Sequence, residues 1–456
     1  MERCLTEGSQ STEASRTDAR GRGVYLGRGQ DGSDIWSGSQ RCALVLGPPR
    51  SGKTSSLIIP NVLAARGAVV STSTKPDVLG ATWPERNRKG WTCLFDPSGE
   101  VPCPSGVEKV GWSPLATARV WDAALATSTA MVQTAATGPG ADHWHERATA
   151  LLAPLIHAAA LAELPMRTVL KWIDRRDGAT PLDILSTTVG DDATATDVLS
   201  GIVATDVREQ SGIWSTASGV LAAYRSENAL RSTERAPLDA DAFCRGAHTM
   251  YICSPGRRQE LFAPLVVGVL GDVRDATYVR ERDAPGATPT LLALDELANI
   301  APLPDLVPMV SEGGGQGLLL LACLQDLSQA RTRWGQAADG FLSLFGTSVM
   351  LPGIADPTTL RTLSMLAGEH EVRRSTLSHS LGARGRLQPS TSVSTIRVPR
   401  HPVEEIAQGI PGHAFVMGPH RKFGHVSLTP AHSHSPWREF VQAERTVART
   451  GVSLGR

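Results

Sequence analysis

At residues 47–54 the chain reads Gly47-Pro48-Pro49-Arg50-Ser51-Gly52-Lys53-Thr54. This stretch fits the pattern G-x-x-x-x-G-K-[ST]. It follows the apolar run ALVLG and precedes the apolar segment SLIIPNVLAA. A strand, a glycine-containing loop and a helix in this order are the setting of a phosphate-binding P-loop, whose backbone N–H groups face the phosphates. We therefore predict that residues 47–55, including Ser55, bind a nucleotide.

Two side chains of this loop have predicted tasks of their own. Lys53 is expected to reach the β- and γ-phosphates of ATP, and the hydroxyl of Thr54 is expected to ligate Mg²⁺. A chance match in a glycine-rich chain is the alternative, and the flanking apolar strand and helix argue against it.

Short apolar runs recur along the chain and predict the fold class. GAVVSTST follows the P-loop helix, and HTMYICSP, TPTLLALDE, LLLLACLQD and TSVMLPG come later. A strand–helix–strand opening of this kind is typical of a mostly parallel central sheet covered by helices. The fold class is accordingly α/β.

The domain organisation is predicted from changes in composition. Residues 1–22 are expected to form a disordered polar tail, and 23–112 the first part of the nucleotide-binding domain. Residues 113–245 carry apolar residues at helical spacing and predict an inserted all-helical domain. The second part of the nucleotide-binding domain covers 246–430, and 431–456 is a polar C-terminal tail. Within 246–430, the Ser/Gly/Arg-rich stretch 375–395 predicts a mobile loop.

An acid pair ends one of the apolar runs. In LLALDE, Asp295 is the candidate for the metal side, and Glu296 is the candidate general base that polarises the attacking water. A pair that only caps a helix is the alternative.

Gln325 ends the next apolar run and is the candidate sensor of the γ-phosphate. An ordinary surface glutamine is the alternative.

The composition of the chain limits the classes of partner and site that it can have. Lys plus Arg and Asp plus Glu are both 45, so the net charge is zero. This balance argues against a static coat on nucleic acid, although a ring can still confine positive charge to a channel. The seven cysteines include no CxxC pair, which argues against a zinc site or a disulfide framework. We find no signal peptide and no run of eighteen apolar residues.

Three stretches together resemble the TraG/TraD-type coupling proteins of conjugative type IV secretion, in versions similar to those of actinobacteria. They are LVLGPPRSGKTSSLIIPNVL, LLALDELANIAPLPDLVPMVSEGGGQGLLLLACLQDLSQARTRWG and VEEIAQGIPGHAFVM. The resemblance implies a RecA-like P-loop NTPase that assembles as a homo-hexamer. It also implies hydrolysis of ATP with Mg²⁺ and sequence-nonspecific movement of single- or double-stranded DNA. Relaxase and the secretion channel proteins are the implied partners.

The sequence departs from that family in three places. Members usually begin with membrane-spanning helices, which are not seen here. This predicts a cytoplasmic protein, or one held at the inner face of the cell membrane by a separate anchor protein. Gly314 stands where many members carry an arginine that reaches a neighbour's ATP site, and Arg331 and Arg333 are the substitutes we consider. Ser73 replaces an aspartate, while Lys75 is kept.

Two rival functions remain at this stage. One is a DNA pump of the FtsK/HerA type that has no secretion partner. The other is a docking platform for secretion substrates that binds ATP without acting as a motor, an idea that the missing arginine at Gly314 supports.

Overall fold

The computed structural model describes residues 23–135, 142–191, 193–254, 259–381, 387–418 and 423–441. The strands are β1 (Tyr25–Arg28), β2 (Asp34–Trp36), β3 (Ala43–Leu46), β4 (Val69–Ser73), β5 (Thr92–Phe95), β6 (Glu108–Lys109), β7 (Thr249–Cys253), β8 (Thr290–Leu294), β9 (Leu318–Leu324), β10 (Ser348–Met350), β11 (Glu369–Leu381), β12 (Leu387–Pro399), β13 (His413–Met417) and β14 (Phe423–Ser427).

The α-helices are α1 (Ile59–Ala64), α2 (Asp77–Lys89), α3 (Trp121–Ala135), α4 (Asp142–Leu161), α5 (Met166–Arg175), α6 (Ala179–Thr188), α7 (Thr194–Val203), α8 (Val207–Val220), α9 (Glu227–Thr233), α10 (Ala240–Arg245), α11 (Gln259–Asp283), α12 (Leu297–Ile300), α13 (Leu306–Glu312), α14 (Leu327–Trp334), α15 (Phe341–Leu344), α16 (Pro357–Ala367) and α17 (Val403–Gln408). A π-helical turn, Thr54–Ile58, precedes α1. Short 3₁₀ turns lie at Leu221–Arg225, Gly313–Gln316, Gly335–Gly340 and Ala431–Ser433.

A twelve-stranded sheet lies at the centre, in the order β2-β1-β14-β13-β10-β3-β9-β8-β4-β7-β5-β6. The strands from β10 to β6 run parallel to one another. Antiparallel pairs then follow in succession, β10 with β13, β13 with β14, β14 with β1 and β1 with β2. The α/β fold with a mostly parallel sheet is therefore confirmed. Because β9 lies between β3 and β8, the segments that follow these three strands meet at one edge.

Apolar layers cover both faces of the sheet. Every residue of β3 is buried, with Leu44 and Leu46 in one layer and Ala43 and Val45 in the other. Strands buried on two faces have continuous rather than alternating apolar sequences. This is why the short apolar runs identified the strands.

Between β6 and β7 the regular elements of the described chain are helices, α3 to α10. Their core, which includes Leu151, Leu155 and Trp214, is continuous with one apolar layer of the sheet. A hydrogen bond from Trp112 Nε1 to Asp272 Oδ2, at 2.7 Å, fastens the start of this region to α11. The helical insertion thus packs against the nucleotide-binding domain. The exact domain boundaries stay predictions.

The prediction of a mobile loop at 375–395 was wrong. Strands β11 and β12 form a separate two-stranded sheet, paired from Glu369 opposite Pro399 to Leu381 opposite Leu387. Residues 382–386 lie outside the described residues. Leu377 and Val393 are 61% and 66% exposed. A hairpin with solvent on both faces needs no apolar alternation, so its Ser- and Thr-rich strands had the composition of a loop.

The predicted C-terminal tail begins with a packed segment. Trp437 is buried, and its ring lies 5.8 Å from that of Tyr25 in an edge-on contact. The tail prediction was therefore wrong for 431–441, because one large aromatic side chain anchors this polar stretch. Residues 442–456 and the predicted tail 1–22 lie outside the described residues. Among the described helices, none combines the length and apolar character needed to cross a bilayer.

Candidate nucleotide site

The P-loop connects β3 to the π-helical turn Thr54–Ile58, as the sequence predicted. The N–H of Gly47 donates to the carbonyl of Leu324 at 3.1 Å, which fixes the loop start beside β9. A Cβ at Gly47 would lie 2.9 Å from both Leu351 Cβ and Ser51 Oγ, so only glycine fits without displacement. Gly52 has φ +97°, a conformation that glycine adopts without strain.

The side chain of Lys53 lies within the loop. Its ammonium donates to the carbonyls of Gly47 at 2.5 Å and Pro48 at 3.0 Å, and the residue is buried. Backbone groups of the same loop therefore hold the positive charge where a phosphate bound by the loop would meet it. Ser51 Oγ is buried and lacks a hydrogen-bond partner among the described residues. An acceptor-rich ligand in the loop would satisfy this donor.

Thr54 and Asp295 meet across 241 residues of sequence. Thr54 Oγ1 donates to Asp295 Oδ2 at 2.6 Å. Asp295 follows β8 and is buried, and burial is the main cause that raises the pKa of its carboxyl group. Hydroxyl and carboxylate oxygens are suitable ligands for the hard cation Mg²⁺. The two residues predicted on the metal side thus lie together, and their oxygens fit that ion.

Glu296 adopts a left-handed backbone conformation, with φ +54°. Non-glycine residues rarely do so, and such strain is found at functional sites. Its Oε2 accepts a hydrogen bond from Asn299 Nδ2 at 3.2 Å. Burial first, and the charge of Asp295 second, raise the pKa of Glu296. The carboxyl group is thereby directed and made more basic than an exposed glutamate, as a general base requires.

Gln325 directly follows β9, between the P-loop strand and the strand of the acid pair. Its backbone N–H donates to Gln329 Oε1 at 3.0 Å, which fixes the turn into α14. The structure thus places Gln325 at the same edge as Lys53 and Asp295. Its role as the γ-phosphate sensor stays a prediction.

The two arginines considered as substitutes for a neighbour's arginine are both engaged within the chain. Arg331 Nη2 lies 2.9 Å from Asp356 Oδ2, and its Nη1 lies 3.5 Å from Asp339 Oδ1. Arg333 Nη2 donates to the carbonyl of Thr134 at 2.6 Å, near the end of α3. Burial lowers the pKa of Arg333. Both guanidinium groups thus make contacts within the chain, and their catalytic role stays a prediction.

The structure also explains the glycine at 314. Gly314 is buried in the turn Gly313–Gln316. A Cβ there would lie 1.9 Å from the carbonyl oxygen of Gln40, which itself has φ +63°. Any side chain at 314 would collide with backbone. An arginine is therefore excluded here by the packing of the loop before β3.

Sequence reasoning missed two residues that hold the acid pair. Thr72 Oγ1 donates to the backbone carbonyl of Asp295 at 2.9 Å, and Asn299 bonds Glu296 as described. The available signal was a hydroxyl at the end of β4, the strand that pairs with β8. Ser73, which replaces the family's aspartate, donates to Asp77 Oδ1 at 3.2 Å and so belongs to the start of α2.

Comparisons with known proteins concern the family resemblance and the fold. Residues 289–408 match a family model described as "TraM recognition site of TraD and TraG". The match confirms the sequence resemblance to TraG/TraD-type proteins over that stretch, which includes Asp295, Glu296 and Gln325. No curated protein matches the sequence.

Solved structures share the fold over nearly the whole chain. One is the bacterial conjugative coupling protein TrwBdeltaN70 in an unbound monoclinic form, with TM-score 0.67, 18% identity and 91% of each chain covered. The plasmid coupling protein TrwB in complex with the GTP analogue GDPNP has TM-score 0.67 and 18% identity, over 91% of this chain and 92% of that one. TrwB in complex with ADP and Mg²⁺ has TM-score 0.65 and 19% identity, over 92% and 91%. At these identities the likeness shows a common RecA-like fold.

Proposed function

We propose that this chain, with its TraG/TraD segment and the fold of a conjugative coupling protein, is an ATP-driven motor for DNA transfer. It hydrolyses ATP with Mg²⁺ at the edge where β3, β9 and β8 end. The free energy moves DNA, with its bound relaxase, to a type IV secretion channel. The single observation that carries this proposal is the bond between Thr54 and Asp295 beside Lys53, with Glu296 next in sequence.

Each polar group at this edge has its own task. Lys53 places positive charge at the β- and γ-phosphates. Thr54 and Asp295 would hold Mg²⁺, which would supply further positive charge at the phosphate oxygens. Gln325 hydrogen-bonds the γ-phosphate.

Glu296 directs the bond-breaking step. Its carboxylate accepts a proton from water while the water oxygen bonds to the γ-phosphorus. The bond from that phosphorus to the bridging oxygen breaks, which leaves ADP and phosphate. The hydrogen bond from Asn299 holds Glu296 in position for this transfer.

The proposed partners follow from the family match and from charge. The description of a TraM recognition site supports docking of a relaxosome protein on residues 289–408. A net charge of zero fits a ring of six chains that touches DNA phosphates, without regard to sequence, in a limited channel. We propose a cytoplasmic protein, with a peripheral position at the inner face of the cell membrane, through a membrane-anchor partner, as the alternative.

The test is steady-state ATP turnover of the full chain, alone and with single- or double-stranded DNA. We expect turnover that rises with DNA and with assembly of rings, together with capture of relaxase and channel proteins. DNA-stimulated turnover without such capture would favour the pump of the FtsK/HerA type. ATP binding without turnover under every condition would favour the docking platform and would contradict the motor.

A further inference from the structure

We propose that His401, Glu405 and His425 form a binding site for a divalent transition-metal cation, with Zn²⁺ as the best fit. The site lies at the antiparallel end of the sheet, on different elements from those of the nucleotide site. His401 follows β12, Glu405 lies on α17 and His425 lies on β14. A cation there would fasten these three elements together.

The three side chains already converge. One ligand atom from each residue lies within 4.8 Å of the other two. His401 Nδ1 and Glu405 Oε1 are 3.0 Å apart, and the rings of His401 and His425 are 5.9 Å apart between centroids. With metal–nitrogen bonds near 2.0 Å, two imidazoles on one tetrahedral ion have centroids about 5 Å apart. Side-chain rotations that move the ligand atoms by about 1–2 Å would therefore close the site around an ion, without movement of the backbone.

The donor set has the chemistry of a known class of zinc site. Two imidazole nitrogens and one carboxylate oxygen, with a fourth position for water, form a common Zn²⁺ coordination shell. In the structure His401 Nδ1 and Glu405 Oε1 lie within hydrogen-bond distance. Zn²⁺ binds an imidazole through an unprotonated ring nitrogen, so the ion would take the place of this hydrogen bond between the two side chains. The spacing of the cysteines in the sequence gives no indication of a site that contains no cysteine.

Neighbouring groups hold the two imidazoles in place. Phe415 lies opposite His425 on β13, with ring centroids 4.4 Å apart, and its ring also contacts that of His401 edge-on at 5.2 Å. The backbone carbonyl of His401 accepts a hydrogen bond from Ser364 Oγ at 2.7 Å. Such outer contacts orient metal ligands and limit the entropy lost on binding. Glu405 is about half exposed, at 46%, which leaves a path for the ion.

The position of the site gives it a structural effect. Arg400, next to His401, donates its backbone N–H to the carbonyl of Gly368 at 2.8 Å and closes the base of the β11–β12 hairpin. A cation bound by His401 and His425 would tie this base to the main sheet. We therefore assign the ion the task of orienting the long hairpin, not a part in ATP hydrolysis.

The experiment is a Zn²⁺ titration of the untagged full chain, with excess Mg²⁺ present so that the P-loop site is supplied with its own ion. Equilibrium dialysis gives stoichiometry and affinity, and Co²⁺ substitution gives the visible absorption of four-coordinate cobalt. We expect one tight equivalent. Zn²⁺ should also slow backbone hydrogen exchange in Val403–Gln408 and Phe423–Ser427 and leave the P-loop unaffected.

Matched variants identify the ligands. Glu405→Gln and His425→Gln should each weaken Zn²⁺ binding by at least about tenfold and remove the cobalt absorption. The controls are Glu404→Gln, on the same helix turn, and His432→Gln, an exposed histidine outside the set. Both should bind like the unchanged chain. The proposal is overturned if the unchanged chain takes up no tight equivalent, or if Glu405→Gln keeps it. If His425→Gln fails to fold, Glu405→Gln decides the test, because Glu405 is exposed and its substitution leaves the core intact.

Discussion

The carboxyl edge of the parallel strands and the antiparallel end of the same sheet both collect polar side chains, but they hold them differently. At the parallel edge, Lys53, Thr54 and Asp295 are held by backbone groups and by each other beside fully buried strands. At the antiparallel end, His401 and His425 lie against phenylalanine rings and belong to elements near an exposed hairpin.

We infer from this difference that the parallel edge carries out the proposed ATP hydrolysis, whereas the antiparallel end serves binding. Buried parallel strands fix the ends of the P-loop and of β8, so the polar side chains there are held in position for catalysis. The antiparallel end instead carries the proposed cation site. We therefore expect changes at the parallel edge to abolish turnover without unfolding, and changes elsewhere to alter stability or assembly and to spare the chemistry.

The largest expected effect is that of Lys53→Ala. Loss of the ammonium removes the charge that meets the phosphates, so ATP turnover should fall by at least about a hundredfold. A melting curve without nucleotide should change little, because only bonds within the loop are lost. Near-normal turnover in this variant would refute the motor function. It would also contradict the assignment of ATP hydrolysis to the parallel edge.

Glu296→Gln should follow with a loss of about a hundredfold in turnover, while ATP binding is kept. The pH profile sharpens this test. A general base acts when deprotonated, and burial and Asp295 raise the pKa of Glu296. Turnover should therefore fall on acidification at a higher pH than an ordinary glutamate would cause, and Glu296→Gln should lose this acid limb. An unchanged limb would assign it to another group.

Matched leucines compare the stability contribution of the parallel strands with that of the separate β11–β12 hairpin. Leu321 in β9 is fully buried, and Leu377 in β11 is 61% exposed. Leu321→Ala should lower the free energy of unfolding by about 2–5 kcal/mol through lost contacts and a cavity. Leu377→Ala should change it by no more than about 0.5 kcal/mol and leave turnover intact. Denaturant titration measures both, and equal effects would mean that the hairpin is packed in solution.

A smaller loss of stability than that of Leu321→Ala is expected for Arg333→Ala. It removes the hydrogen bond to Thr134 and should lower the free energy of unfolding by about 1–3 kcal/mol. If the arginine acts only within its own chain, specific turnover should still rise with protein concentration as rings form. Arg331→Ala is the companion variant. A lost rise with unchanged stability would instead identify a trans-acting arginine, and mixing with Lys53→Ala chains should then restore activity.

Much of the nucleotide site could be predicted because its residues follow local patterns. The P-loop and the acid pair each stand at the end of an apolar run, and parallel strands bring such ends together. Arg331 and Arg333 could not be judged in this way. Their partners Asp356 and Thr134 lie far away in sequence, and no periodicity indicates such contacts.

The remaining misses also have physical causes. The β11–β12 hairpin has solvent on both faces, so the alternation that marks a half-buried strand is absent. At Gly314 the sequence showed a missing arginine, but only the backbone of Gln40 shows that no side chain fits. The packed residue Trp437 stands alone in a polar stretch, and a single aromatic residue is too weak a signal.

The contact between Arg333 and Thr134 has a mechanical consequence. Arg333 lies on α14, the helix that starts two residues after Gln325, and its guanidinium binds a carbonyl in the last turn of α3. The negative end of the α3 helix dipole strengthens that grip. A shift of α14 by about 1 Å would take this bond beyond normal hydrogen-bond length unless α3 moved with it. Through this bond, a displacement at the end of β9 would be transmitted to the helical domain.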